Sequence, residues 1–182
     1  MSYQKEMLEF NKNFVENKEY EKFITTKYPN KKIAILSCMD TRLTELLPAA
    51  LNLKNGDMKL IKNAGGVISH PFGSVMRSLL VAIYELEVKE IFVIGHYDCG
   101  MQSINPQNMI NKMLKRGVNE QDLEFIKYCK IDINKWLEGF EDPIESVKET
   151  VNIIRNHPLI PDDILVSGFV MDPTTGKLDV VD

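Results

Sequence analysis

The stretch Lys32-Ile33-Ala34-Ile35-Leu36-Ser37-Cys38-Met39 decides the fold. It is a short, continuous apolar run, and a strand with no polar face must be covered on both sides, as in a parallel sheet. Working outward, Met58 to Lys62 reads as a second strand, Glu90 to Gly95 as a third with strong β-branched content, and Ile164 to Met171 as a fourth. Between them, Gly73 to Glu87 carries Val75, Leu79, Ala82, Ile83 and Leu86 at helical spacing. Pro143 to about Asn156 does the same with Val147, Val151 and Ile154. Strands alternating with helices imply right-handed crossovers, so the expectation is an α/β fold with a mainly parallel central sheet flanked by helices. Turn residues from Asp172 to Gly176, between Met171 and Leu178, predict a hairpin that adds a C-terminal antiparallel edge strand. Gln121 to Leu137 is predicted helical.

Gln4 to Glu21 carries Met7, Leu8, Phe10, Phe14 and Val15 as an apolar stripe among charges, a helix that needs another surface to cover it. The 182 residues, without repeats or linkers, are expected to form one domain over 1–182, with 1–27 as a helical arm. Apolar residues make up 44% and charged residues 26%, which excludes disorder as a description of the chain. Lys and Arg number 22 against 26 Asp and Glu, and no basic run tracks a phosphate backbone, so nucleic acid is not an expected partner. Apolar runs fall well short of the roughly 20 residues of a membrane span, so no membrane association is expected. The N-terminus does not read as a secretory signal and the cysteines number three, which fits a reducing cytoplasm.

Parallel sheets bind ligands at the carboxyl ends of their strands. Just past the first strand stand Cys38, Asp40 and Arg42, and just past the third stand His96 and Cys99. Two thiolates and an imidazole are ligands that zinc prefers, and three protein ligands leave a fourth tetrahedral position open. Two sulfurs on one tetrahedral zinc lie roughly 3.8 Å apart, within reach of strands about 4.8 Å apart. Each residue also has a plainer use. Cys38 alone reads as a buried thiol, Cys38 with Cys99 as a disulfide, and Asp40 with Arg42 as an ion pair holding a loop.

Cys38-Met39-Asp40-Thr41-Arg42, followed by His96-Tyr97-Asp98-Cys99-Gly100-Met101, resembles the β-class carbonic anhydrases. Asn63-Ala64-Gly65-Gly66 is similar to that family's Asn-Ala-Gly segment. The likeness continues through Ser78 to Tyr84, Asn156-His157-Pro158 and Gly168-Phe169-Val170, and in size and motif it is closest to the compact prokaryotic members. The resemblance implies Zn2+ held by Cys38, His96 and Cys99, with Asp40 and Arg42 as a dyad beside the open position. It also implies carbon dioxide and bicarbonate as substrates, and an active cleft at the interface of a homodimer or higher even oligomer.

Zinc lowers the pKa of a bound water to roughly 7 in the best-known cases, which makes hydroxide available as the nucleophile. Asp40 would accept that hydroxide's hydrogen bond and Arg42 would hold Asp40 by a bidentate contact. If Arg42 failed to restrain it, Asp40 would take the fourth position itself. Gly65 and Gly66, free of Cβ, suit the backbone approach of bicarbonate; glycines in a tight turn are the plain alternative. Hydrolysis of carbonyl sulfide or carbon disulfide on the same site is the rival activity. A non-catalytic, zinc-stabilised interaction domain closed by Asp40 is the rival of another class. Neither glycine-rich nucleotide-binding motif occurs. His70 reads as a solvated loop residue, His157 as structural, Cys129 and Trp136 as packing groups, and Tyr97 and Asp98 as residues that shape their loop.

Overall fold

The computed structural model describes residues 2–182. Five strands form one sheet in the order β2-β1-β3-β4-β5: β1 Ile33–Cys38, β2 Met58–Asn63, β3 Glu90–His96, β4 Leu165–Met171 and β5 Leu178–Val180. The first four pair in parallel and β5 runs antiparallel to β4. All six residues of β1 are buried, as its unbroken apolar run requires of a strand flanked on both sides. Asp172 shapes the final hairpin, accepting from the amides of Thr174 at 2.8 Å and Thr175 at 2.9 Å.

The two faces of the sheet are covered unequally. Ala34, Leu36, Ile91, Val93, Val166 and Val170 pack under α3 (Ser74–Leu86) and α7 (Pro143–Arg155), through Met76, Leu79, Ile83, Val147, Val151 and Ile154. A Cβ on Gly95 would meet a Val147 methyl at 2.7 Å, so the glycine lets α7 settle directly on β3. On the other face Ile33, Ile35, Ile94 and Met171 pack with Leu43 and Leu47 of the short α2 (Leu43–Ala50), and the Phe92 and Phe169 rings, edge to face at 5.7 Å, are only partly buried.

Four stretches depart from the sequence reading. The N-terminal helix α1 is Tyr3–Glu16; Lys18 turns left-handed at φ 54° and the chain continues as a 3-10 turn over Glu19–Phe23, short of one helix to Glu21. No residue of α1 is buried. Gln121 to Leu137 is two helices, α5 (Glu120–Tyr128) and α6 (Ile133–Leu137), because Lys130 is left-handed at φ 60° and Asp132 caps the second by accepting from the Lys135 amide. That break leaves Cys129 and Trp136 exposed, the latter by 66%, where a continuous amphipathic helix would have packed them. Helices α2 and α4 (Pro106–Lys115) fall where no element was expected.

Candidate metal centre

Cys38 ends β1 and His96 ends the adjacent β3, so parallel pairing alone delivers both to one edge of the sheet. Tyr97 and Asp98 then turn the chain so that Cys99 comes back beside them. The two sulfurs lie 3.8 Å apart, as free thiols. The ring Nδ1 of His96 lies 2.8 Å from the Tyr97 carbonyl, which can only accept, so Nδ1 carries the proton and Nε2 presents a lone pair. That Nε2 is buried and has no hydrogen-bond partner among the described residues. The ligand atoms of Cys38, His96 and Cys99 all fall within 4.8 Å of one another, and among the described residues they form the one such group of three. The sulfur separation is what a tetrahedral zinc with bonds of about 2.3 Å demands, and the bare imidazole nitrogen is what such an ion would satisfy. The three residues therefore fit the metal.

The pair of thiols is poised to lose a proton. Cys38 is held well below the ordinary thiol range, first by the hydrogen bond from Cys99 and then, against burial, by donors that include the Asp40 and Gly65 amides. Cys99 is held far above it by the same shared bond and by burial. Gly65 (φ 83°) and Gly66 (φ 67°) form the turn after β2, where a Cβ on Gly66 would stand 3.0 Å from the Cys38 amide nitrogen. This turn is thus backed against the ligand strand. Asn63 pins it, donating from its side chain to the Val67 carbonyl at 2.7 Å and accepting from the Val67 amide at 3.1 Å.

Asp40 stands at the rim, its Oδ2 3.8 Å from His96 Nε2. Arg42 grips it as a fork: Nε donates to Oδ1 at 3.1 Å and Nη2 to Oδ2 at 2.9 Å, while the Arg42 amide adds a bond to Oδ1 at 2.9 Å. The guanidinium beside it holds the Asp40 carboxyl at about 2. Two residues here were missed by sequence reasoning. Asp98, read as a loop residue, takes two further bonds from Arg42; no local pattern signals this, since 56 positions separate them. Lys62, paired in register with Ser37, buries its Nζ without a partner among the described residues; burial pushes its pKa down, while the charges of Cys38 and Asp40 pull the other way. His157 is buried, its ring bonded to the Pro71 carbonyl and the Leu159 amide, and so is structural as expected.

A model of the carbonic anhydrase family matches residues 33–178, from the first residue of β1 to the first of β5. The chain belongs to the β-carbonic anhydrase family. Its fold is that family's: the crystal structure of β-carbonic anhydrase isoform I from the protozoan Trichomonas vaginalis superposes with a TM-score of 0.90 at 38% identity, covering 100% of this chain and 98% of that one. The Bacillus subtilis (strain 168) protein YtiB, which bears the carbonic anhydrase name provisionally, is 54% identical over 181 residues, covering 100% of this chain and 97% of its own. A carbon disulfide hydrolase from Acidianus sp. (strain A1-3) is 29% identical over 161 residues, covering 82% of this chain and 76% of that protein.

Proposed function

We propose that the protein is a zinc enzyme that interconverts carbon dioxide and bicarbonate, with Cys38, His96 and Cys99 holding the metal. The observation that carries this reading is the convergence of two sulfurs and an unpartnered Nε2 beside a carboxylate fixed by Arg42. When bound, zinc supplies a Lewis acid that makes hydroxide available near neutral pH, less readily with two thiolates than with three imidazoles. Asp40, ionised throughout the neutral range, is the acceptor that orients the attacking oxygen towards the carbon of the substrate. Arg42 keeps it ionised and holds both its oxygens at the rim of the site. In the same reading bicarbonate meets the backbone of the turn at Gly65 and Gly66; the support for this is that two successive left-handed residues, at φ 83° and 67°, form that turn directly beside the ligand strand.

Stopped-flow hydration of carbon dioxide on protein of measured zinc content tests the reading. One zinc per chain and activity that rises towards alkaline pH are expected; zinc-loaded protein without hydration would overturn it. The carbon disulfide hydrolases among the relatives make that substrate the second reading. The higher identity to the carbonic anhydrase relatives favours the first. Release of sulfide from carbon disulfide, with no hydration of carbon dioxide, would reverse the order. A closed, non-catalytic site would have Asp40 on the metal, whereas here both its oxygens are taken up by Arg42.

The largely exposed stripe of α1 and the thinly covered sheet face at Phe92 and Phe169 support a second copy of the chain as a partner, in a homodimer or higher even oligomer. Free thiols at the site suit a cytoplasmic setting. No helix among the described residues is long and apolar enough to cross a membrane.

A further inference from the structure

The guanidinium of Arg42 has five N–H donors and four are engaged. Two go to Asp40. The other two go to one residue, Asp98: Nη1 donates to its Oδ2 at 2.8 Å and Nη2 to its carbonyl oxygen at 2.8 Å. Asp98 lies between His96 and Cys99, on the loop whose ends carry two of the three proposed ligands. We infer that Asp98 is a positioning residue that locks Arg42, and through it Asp40, to the loop that closes on the metal. The inference rests on the zinc reading given above and assigns this loop a second task within it.

Three features separate this from a loop that merely needs a turn. First, the side chain of Arg42 is 40% exposed, and a long side chain at such a site samples several rotamers unless both ends of its fork are held. Asp40 alone holds one edge of the fork, and Asp98 holds the other. Second, Asp98 is left-handed at φ 53°, a conformation that glycine meets without strain and that Asp and Asn tolerate better than other residues. The turn admits a glycine, an asparagine or an aspartate alike, and the aspartate found there turns its carboxylate onto Arg42. Third, the carboxylate of Asp98 is 84% exposed and touches no metal ligand through a side-chain bond, so its effect passes through Arg42.

The consequence is specific. Asp40 Oδ2, 3.8 Å from His96 Nε2, is close enough to compete for the metal once its own restraint loosens. With Asp98 in place, Arg42 is fixed at both edges and Asp40 stays an acceptor; without it, a larger fraction of the protein carries Asp40 as a ligand. An anion that enters the open position must then displace it.

The test uses the full-length protein loaded with cobalt(II) in place of zinc, read by its visible absorption spectrum and by titration with azide. Asp98→Gly keeps the turn and removes the carboxylate; Asp98→Asn keeps the turn and an acceptor oxygen. Asp98→Gly is expected to retain cobalt, to shift the spectrum in the same sense as Arg42→Ala, and to bind azide about tenfold more weakly, the scale typical of lost outer-shell partners. Asp98→Asn is expected to stay within about threefold of the parent, since its amide oxygen still accepts from Arg42. A parent-like spectrum and azide affinity in Asp98→Gly would overturn the inference, as would loss of cobalt from both variants, which would assign the residue to the ligand loop itself. A parent protein that takes up no cobalt would remove the metal reading and this inference with it, a result distinct from either.

Discussion

At Asp40 the catalytic and the merely structural uses of one ion pair diverge in measurable ways. If the pair serves the reaction, Arg42→Ala and Asp40→Ala both keep their zinc yet lose about 10- to 100-fold in hydration rate per bound metal at alkaline pH. Rates equal to the parent's would make it a loop-holding pair, worth about 0 to 1 kcal/mol. The pair also has a stability signature. Its carboxyl sits at about 2, below the ordinary value, because Arg42 bonds the ionised form. A depressed carboxyl stabilises the fold in full above its unfolded value of about 4, and that contribution disappears as pH falls from about 4 through about 2. Urea unfolding of the metal-free protein should therefore show Arg42→Ala less stable than the parent at pH 7, and the gap should shrink towards pH 2. A gap independent of pH would contradict this. Lys62 gives the opposite kind of prediction. Its Nζ is buried without a partner among the described residues, so Lys62→Met should raise the unfolding free energy of the metal-free protein by about 1 to 3 kcal/mol, and with it the midpoint, the usual penalty of an unsatisfied buried polar group. A lowered midpoint would show that its charge is compensated.

Among the elements, the turn that follows β2 does the most for the site with the fewest atoms. Gly66→Ala would combine a left-handed φ of 67° with a Cβ 3.0 Å from the backbone of Cys38 and Ser37. We expect a loss of about 2 to 3 kcal/mol together with weaker zinc retention, because the clash bears on the strand end that carries a ligand. Gly117→Ala is the control, left-handed at φ 95° but facing open space, and should cost only the backbone strain of about 1 to 2 kcal/mol with zinc unaffected. Equal behaviour in both would refute the packing argument, and calorimetry with metal analysis measures it. What was legible in the sequence follows the same division. β1 and β3 were readable because a strand buried on both faces leaves an unbroken apolar run, and their ends place Cys38 and His96 side by side. Helix α2 was not, for it has eight residues and contains Pro48, which weakens its helical signal. The break at Lys130 was hidden because nothing in a lysine announces a positive φ. The cap Asn105 with Pro106 at the start of α4 was a usable signal that went unread. Asp98 and Lys62 could not be read at all, since their meaning lies in groups brought together only by the sheet.

The whole molecule presents two surfaces that ask for cover, the stripe of α1, with Leu8 and Phe10 more than half exposed, and the sheet face at Phe92 and Phe169. Light scattering at micromolar concentration should give a dimer or a higher even oligomer, and Phe10→Asp should shift it towards monomer. A parent of 20.9 kDa that remains monomeric and active would contradict the arrangement.

Trp136 is the one tryptophan in the chain, and it sits on α6, away from the sheet, beside Val67, Ser69 and Met101 in a cavity of about 270 Å³. Its indole is already in contact with water before the chain unfolds. Intrinsic fluorescence therefore reports poorly on melting of this protein, and circular dichroism of the helices is the better probe. Conversely, anything that seats in that cavity moves the indole from water into apolar surroundings and shifts its emission to the blue, so the chain carries its own optical sensor a few residues from the turn that backs Cys38.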